Sequence, residues 1–154
     1  MKSILEICEK CNLPIRTFSD GEALIEEGSP ASGSLFILKE GSTEISKERV
    51  ELNRISSPGS IFGEVSVILD QPHSATVRSI GESTFYFAED GNHILEKHPE
   101  LTYYISHLLA TRLSFVSSYL VDIRKQYAAN DDHLGIVDEV LECLLNHQAK
   151  KKSS

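Results

Sequence analysis

Phe62-Gly63-Glu64-Val65-Ser66-Val67-Ile68-Leu69-Asp70-Gln71-Pro72-His73-Ser74-Ala75-Thr76-Val77 is the stretch on which the fold turns. Ile61-Phe62-Gly63 reads as a strand that enters a short helix over Glu64 to Leu69. A strand running into a helix start points backbone N–H groups and the positive end of the helix dipole at an anion. Gly63 lets the backbone approach a ligand closely, and serves equally as an ordinary turn glycine. Past the helix, Thr76 and Val77 begin an alternation that includes Ile80, the pattern of a strand with one face in the core.

Working outward, residues 3 to 12 read as a short amphipathic helix ended by Asn12 and by Pro14 beyond it, because the residue before a proline is pushed out of the helical region. From about 15 to 88 the chain consists of short apolar runs separated by Gly, Pro, Ser and Asp. The runs are Ile15 to Phe18, Ala23 to Glu27, Leu35 to Lys39, Thr43 to Lys47, Val50 to Ile55, Ala75 to Ile80 and Thr84 to Phe87. Gly21, Gly28, Gly41 and Gly59 punctuate them, as turns that need positive φ require. So many short edges are protected by an antiparallel sheet that closes or rolls on itself, so the expectation is a small β-barrel or β-roll.

After Asp90 the period becomes helical. Ile94, Leu95 and His98 lead to Pro99, and Leu101, Tyr104, Ile105, Leu108, Leu109, Arg112, Leu113, Val116, Tyr119, Leu120 and Ile123 recur at three- and four-residue steps. A helix from about 99 to 127 extends on the order of 40 Å at 1.5 Å per residue, more than a domain of this size covers alone. Part of it is expected to meet a partner. Asn130-Asp131-Asp132 supplies a break with N-cap chemistry, and Leu134, Val137, Val140, Leu141, Leu144 and Leu145 make a second stripe. The expected division is residues 1–128, holding the β-rich part and the long helix, and 129–154, holding a further helix and the basic tail Lys150 to Ser154, which is given no function.

The run Phe62 to Val77 resembles the signature of the cyclic nucleotide-binding domain family, where Phe-Gly-Glu, a helical turn and Pro-Arg-Ala/Ser-Ala-Thr-Val surround the cyclic phosphate and ribose. Gly21 to Gly28, Leu35 to Gly41, His98-Pro99-Glu100-Leu101 and Leu109-Ala110-Thr111-Arg112-Leu113 are similar to further parts of that family, so the resemblance spans roughly residues 15 to 120. Each motif is weak alone; their order and spacing make the match specific. The resemblance implies an α+β fold: an antiparallel, jelly-roll-like β-roll with a short N-terminal helix, a short helix in the cassette and C-terminal helices.

It also implies a site. Phe62, Gly63, Glu64, Val65, His73, Ser74 and Ala75 match the positions around the phosphate and ribose, with Glu64 as acceptor for the 2′-hydroxyl and Ser74 and Ala75 as the small positions near the phosphate. Read on its own, Glu64 is a first-turn acid that complements the helix dipole, and the two roles coexist. The family's capping helix makes Arg112, Phe115, Val116 and Ser117 candidates for a lid over the base; apolar members of such a stripe also serve as core or dimer seam. The ligand implied is cyclic AMP or cyclic GMP, with no metal and no resident cofactor.

His73 departs from the family pattern, standing where the arginine would be. Arginine supplies a permanent charge and a planar fork of donors, whereas neutral imidazole supplies one donor. A charge-assisted hydrogen bond contributes about 1.5–3 kcal/mol, equivalent to one to two decades of affinity. Two outcomes are open: an adjacent phosphate draws His73 into its protonated form, so that binding weakens as pH rises; or the pocket is empty or holds another ligand, and His73 is a surface histidine on a loop.

Composition narrows the function further. With 15 basic and 23 acidic residues the formal net charge is −8, which disfavours direct nucleic-acid binding. No apolar run approaches the ~20 residues that cross a bilayer, and the N-terminus lacks secretory-signal features, so the default expectation is a soluble cytoplasmic protein. Cys8 and Cys11 form a Cys-x-x-Cys, but no second ligand pair accompanies it, and its helical spacing with Ile4 and Ile7 favours a core role. No catalytic motif is present: Ser66 lacks both an elbow and a partner base, and His93, His98, His107, His133 and His147 are scattered. The expected function is a non-catalytic sensor of a cyclic nucleotide that signals to a protein partner through its C-terminal helices, as a homodimer through residues 99–127; packing of the long helix against the last one is the alternative to the dimer. A ligand-independent interaction or dimerisation scaffold is the competing expectation.

Overall fold

The computed structural model describes residues 2–127 and 131–146, with side chains of residues 135–144 described in the last segment. Two compact units make up the chain, Met1–Ile105 and Ser106–Ser154, and the division falls inside the long helix.

In the first unit, helix α1 (Ile4–Lys10) starts at a capping box in which Ser3 Oγ accepts from the Glu6 N–H and the Glu6 carboxylate accepts from the Ser3 N–H. It ends at Cys11, and Asn12 takes the left-handed conformation at φ 51°. Ile4, Ile7 and Cys8 form its buried face.

Six strands follow: β1 (Ile15–Phe18), β2 (Ala23–Ile25), β3 (Leu35–Lys47), β4 (Val50–Ile55), β5 (Ile61–Phe62) and β6 (Thr76–Ala88). They form one antiparallel sheet in the order β1-β6-β3-β4, with β2 also on β6 and β5 also on β3. The sheet is open, so of the two expected ways to protect its edges, closure into a barrel is not the one used. The β4 edge carries charge instead: Arg54 lies between Glu51 (2.7 Å) and Glu44 (3.8 Å) on an exposed strand.

Two gaps expected to be turns are bends inside continuous strands. Leu35–Lys39 and Thr43–Lys47 are halves of β3, and the runs on either side of Gly81 are halves of β6, its register with β3 shifting around Glu40. Gly41 explains the difference. It sits at φ 113°, and a Cβ there would lie 2.2 Å from the Ser83 hydroxyl oxygen. That hydroxyl accepts from the Ser42 N–H and donates to the Ser42 carbonyl, both at 3.0 Å, so it replaces the ladder bonds the bulge removes. Positive φ at Gly41 thus bends a strand rather than ending one.

The core gathers Phe18, Ile25, Phe36, Leu38, Phe62, Val77 and Phe85. Its rings meet edge to face, Phe18 on Phe85 at 5.5 Å and Phe62 on Phe85 at 6.3 Å, the arrangement their quadrupoles favour. Between β5 and β6 lies α2 (Glu64–Leu69); α3 (Gly91–Lys97) and the start of α4 (Pro99–Gln126) complete the unit, with Leu101 and Ile105 fully buried.

In the second unit α4 continues, followed by α5 (Asp131–Asn146). Arg124 pairs with Asp138 at 3.1 Å, and Leu141 is buried. Leu113, Phe115, Val116, Tyr119 and Val121 of α4 are exposed. Asn130, the side chains of Asp131, Asp132, Leu134 and Leu145, and the tail Lys150 to Ser154 lie outside what is described.

Candidate functional site

The cassette is built on the pairing of β5 with β3, Phe36 opposite Phe62 and Ile37 opposite Ile61, which fixes where the chain leaves the sheet. Phe62 is 5% exposed and its ring belongs to the core, so its backbone is what it presents to the turn. Gly63 follows at φ 89°, with no side chain capping α2. A Cβ at Gly63 would stand 2.6 Å from the Ser34 carbonyl oxygen, so both the conformation and the close approach of the Ser34 backbone require glycine.

Glu64 places its carboxylate in the first turn of α2 and is buried, while Val65 beside it is exposed. Ser66 is buried and donates to the Gln71 carbonyl at 2.6 Å; with Asp70 left-handed at φ 50°, this folds the chain back from the end of α2. That reversal brings Pro72 and His73 toward the loop preceding β3.

His73 is the main finding at the site. The residue is only 7% exposed, so it is not a surface histidine on a loop. Its N–H donates to the Ser29 carbonyl at 3.1 Å and its carbonyl accepts from the Gly28 N–H at 2.8 Å. The Nε2 atom lies 3.3 Å from Ser32 Oγ, and burial lowers the ring's pKa below the ordinary histidine value. The ring is therefore neutral at pH 7, and the free protein holds no imidazolium charge in the arginine's place. Ser74 is exposed and Ala75 half-buried before β6 begins, where Thr76 accepts from the Glu27 N–H at 2.9 Å.

Gly63, Glu64, His73, Ser74 and Ala75 thus lie along one strand–helix–strand path, held from the side by residues 28–34. The sequence carries no local sign of what Gly28, Ser29 and Ser32 contribute. Ser29-Pro30-Ala31-Ser32-Gly33-Ser34 looks like punctuation, and its signal, serine hydroxyls close to a histidine, exists only across 41 residues of separation. Arg112, Phe115, Val116 and Ser117 all lie on α4 in the second unit; Arg112, Phe115 and Val116 are exposed and Ser117 half-buried.

Away from the cassette, Cys8 is fully buried and its thiol is pushed up to about 12, chiefly by burial, which makes it a core side chain rather than a thiolate. Burial also raises the Cys11 thiol. Among the described residues no group of three His, Cys, Asp or Glu is placed to hold a metal ion, and no helix is long and apolar enough to cross a membrane.

Comparison with known proteins agrees with this geometry. The cAMP-dependent protein kinase regulatory subunit of Dictyostelium discoideum is 34% identical over 71 residues, covering 42% of this chain and 21% of that protein. The chain spans about a fifth of the length of such curated relatives. Among solved structures, the Thermus thermophilus catabolite activator protein superposes with a TM-score of 0.61 at 20% identity, over 78% of this chain and 58% of that one. The regulatory domain of Toxoplasma gondii PKA, crystallised with cAMP, gives 0.54 at 23% identity, over 66% of this chain and 39% of that one. Likeness at such identities establishes the fold; the family's own model, cyclic nucleotide-binding domain, matches residues 15–92, half of the sequence, and the chain belongs to that family.

Proposed function

We propose that this chain is a non-catalytic regulatory module that binds cyclic AMP or cyclic GMP at the cassette and passes occupancy to a protein partner through its C-terminal helices. The observation that carries the proposal is the Gly63–Glu64 turn, with a glycine that tolerates no Cβ, an uncapped helix start and a buried carboxylate one residue on. Backbone N–H groups at such a turn suit a phosphate oxygen, and a carboxylate suits a ribose hydroxyl. His73, Ser74 and Ala75 close the cradle, with Phe62 and Val65 flanking the turn; Arg112, Phe115, Val116 and Ser117 are carried as lid candidates by the family resemblance alone.

A ligand phosphate favours protonation of His73, so binding is coupled to proton uptake and tightens as pH falls. Titration calorimetry with cyclic AMP and with cyclic GMP at pH 6 and pH 8 tests this. The expected result is saturable heat with at least one nucleotide and a lower Kd at pH 6. Absence of heat with both nucleotides at both pH values would sink the proposal.

The exposed Leu113, Phe115, Val116 and Tyr119 favour a second role alongside the first, a homodimer through residues 99–127. They also suit a ligand-independent scaffold, which becomes the better account if nucleotide binding fails while the chain self-associates. The acidic balance supports a protein rather than DNA as the recipient of the signal, and a cytoplasmic setting is where cyclic nucleotides would be met.

A further inference from the structure

The loop before β3 does more than enclose His73. Ser32 Oγ accepts a hydrogen bond from the Ser34 N–H at 3.3 Å and lies 3.3 Å from His73 Nε2. The opposite ring nitrogen, Nδ1, has no protein partner among the described residues. It also keeps access to solvent, because none of the described buried side-chain nitrogens or oxygens lacks a partner. A nearly buried ring therefore has one nitrogen tied to a serine and one open.

A neutral imidazole carries one N–H and one lone pair, and the partner of one nitrogen decides which it holds. The Ser34 N–H engages one lone pair of Ser32 Oγ, which leaves the hydroxyl two ways to meet Nε2: donating its hydrogen, with the ring proton on Nδ1, or accepting from Nε2–H through its second lone pair, with its own hydrogen turned to water. Only the first leaves Nδ1 a donor.

We propose that Ser32 is a positioning residue that holds His73 in the Nδ1–H tautomer, so that the open nitrogen is a hydrogen-bond donor to an anionic oxygen, such as that of a cyclic phosphodiester. The ligand half rests on the cyclic nucleotide function proposed above; the tautomer half does not. The arrangement supplies a neutral donor without charge: Ser34 N–H to Ser32 hydroxyl, Ser32 hydroxyl to Nε2, and Nδ1–H outward. It also explains why an exposed loop serine and a buried histidine are held together in a protein whose cassette lacks the permanent cation. If the lone pair were left on Nδ1 it would repel a phosphate oxygen, so the tautomer decides the sign of the contact.

The test is long-range proton–nitrogen NMR at pH 8 on the full chain with ring-labelled histidine, His73 being assigned by comparison with His73→Gln. The expected spectrum has Nδ1 protonated and Nε2 unprotonated in the wild type, reversal or averaging in Ser32→Ala, and retention in Ser32→Thr, which keeps the hydroxyl. Calorimetry with cyclic AMP at pH 8 is the second arm: Ser32→Ala should weaken binding about 3- to 10-fold, as loss of one oriented hydrogen bond does, with Ser32→Thr close to wild type. A wild-type ring protonated on Nε2, or a tautomer indifferent to Ser32→Ala, overturns the assignment. Binding that is unchanged in Ser32→Ala overturns the donor role. The expected tautomer without heat from either cyclic AMP or cyclic GMP upholds the positioning role and counts against the nucleotide function instead.

Discussion

Replacing His73 with arginine measures what the cassette lacks. At pH 8 the ring is neutral, since burial already lowers its pKa, so its best contact with a phosphate is one neutral hydrogen bond of about 0.5–1.5 kcal/mol. A guanidinium in the same place makes a charge-assisted contact of about 1.5–3 kcal/mol. The difference, about 1–2 kcal/mol, corresponds to roughly 5- to 30-fold tighter binding of cyclic AMP in His73→Arg. Against that stands the position itself. The histidine is 7% exposed and bonded to Ser32, so arginine forfeits that bond and holds a charge beside buried atoms when no ligand is present. The unliganded variant should therefore melt below wild type, by a few degrees for a loss of about 1 kcal/mol, and recover more than wild type when the nucleotide is added. Calorimetry at pH 8 and thermal melts with and without cyclic AMP read both effects. At pH 6 the advantage of arginine should shrink, because a bound phosphate draws the histidine into its charged form. A correctly folded His73→Arg whose Kd at pH 8 lies within twofold of wild type would refute the reasoning, since the open contact would then not be the arginine contact.

Three further outcomes follow from the same geometry. Gly63→Ala must place a Cβ at φ 89° and 2.6 Å from the Ser34 carbonyl oxygen, so chemical denaturation should show a loss of about 1–3 kcal/mol, and nucleotide binding should fall with it. His73 has a folded-state pKa below its unfolded value, so its contribution to stability is fully present above the unfolded value of about 6.5 and is lost as pH falls through the folded one. Denaturation from pH 8 to pH 5 should show wild type losing stability relative to His73→Gln, by at most about 1.4 kcal/mol per pH unit, and parallel curves would contradict the burial of the ring. Charges placed on the exposed face of α4, Phe115→Glu with Tyr119→Glu, should convert the proposed dimer to a monomer in sedimentation velocity; an unchanged dimer would move the interface elsewhere.

Much of the architecture follows from local signals. Ser3 and Glu6 cap α1, Asn12 and Pro14 stop it, and the strand–glycine–helix step at Ile61 to Leu69 is where its residue types put it. These elements are legible because each depends on neighbours within about four residues. Gly41 shows the limit. Its positive φ is local and was expected, but whether positive φ ends a strand or bends one depends on Ser83, which is 42 residues away in sequence and supplies the replacement hydrogen bonds.

The site divides in the same way. The resemblance to the family pattern assigned Gly63, Glu64, Ser74 and Ala75 to an anion cradle and marked His73 as the departure from it. Neither burial nor charge state of His73 could be read there, because an imidazole in a loop of Pro, Ser and Ala carries no local sign of what covers it. Tertiary structure decided both: folding brings Gly28, Ser29 and Ser32 against the histidine, removes most of its ring from water, and thereby keeps it neutral. Desolvation is a property of everything packed around a group, and no window of sequence contains it.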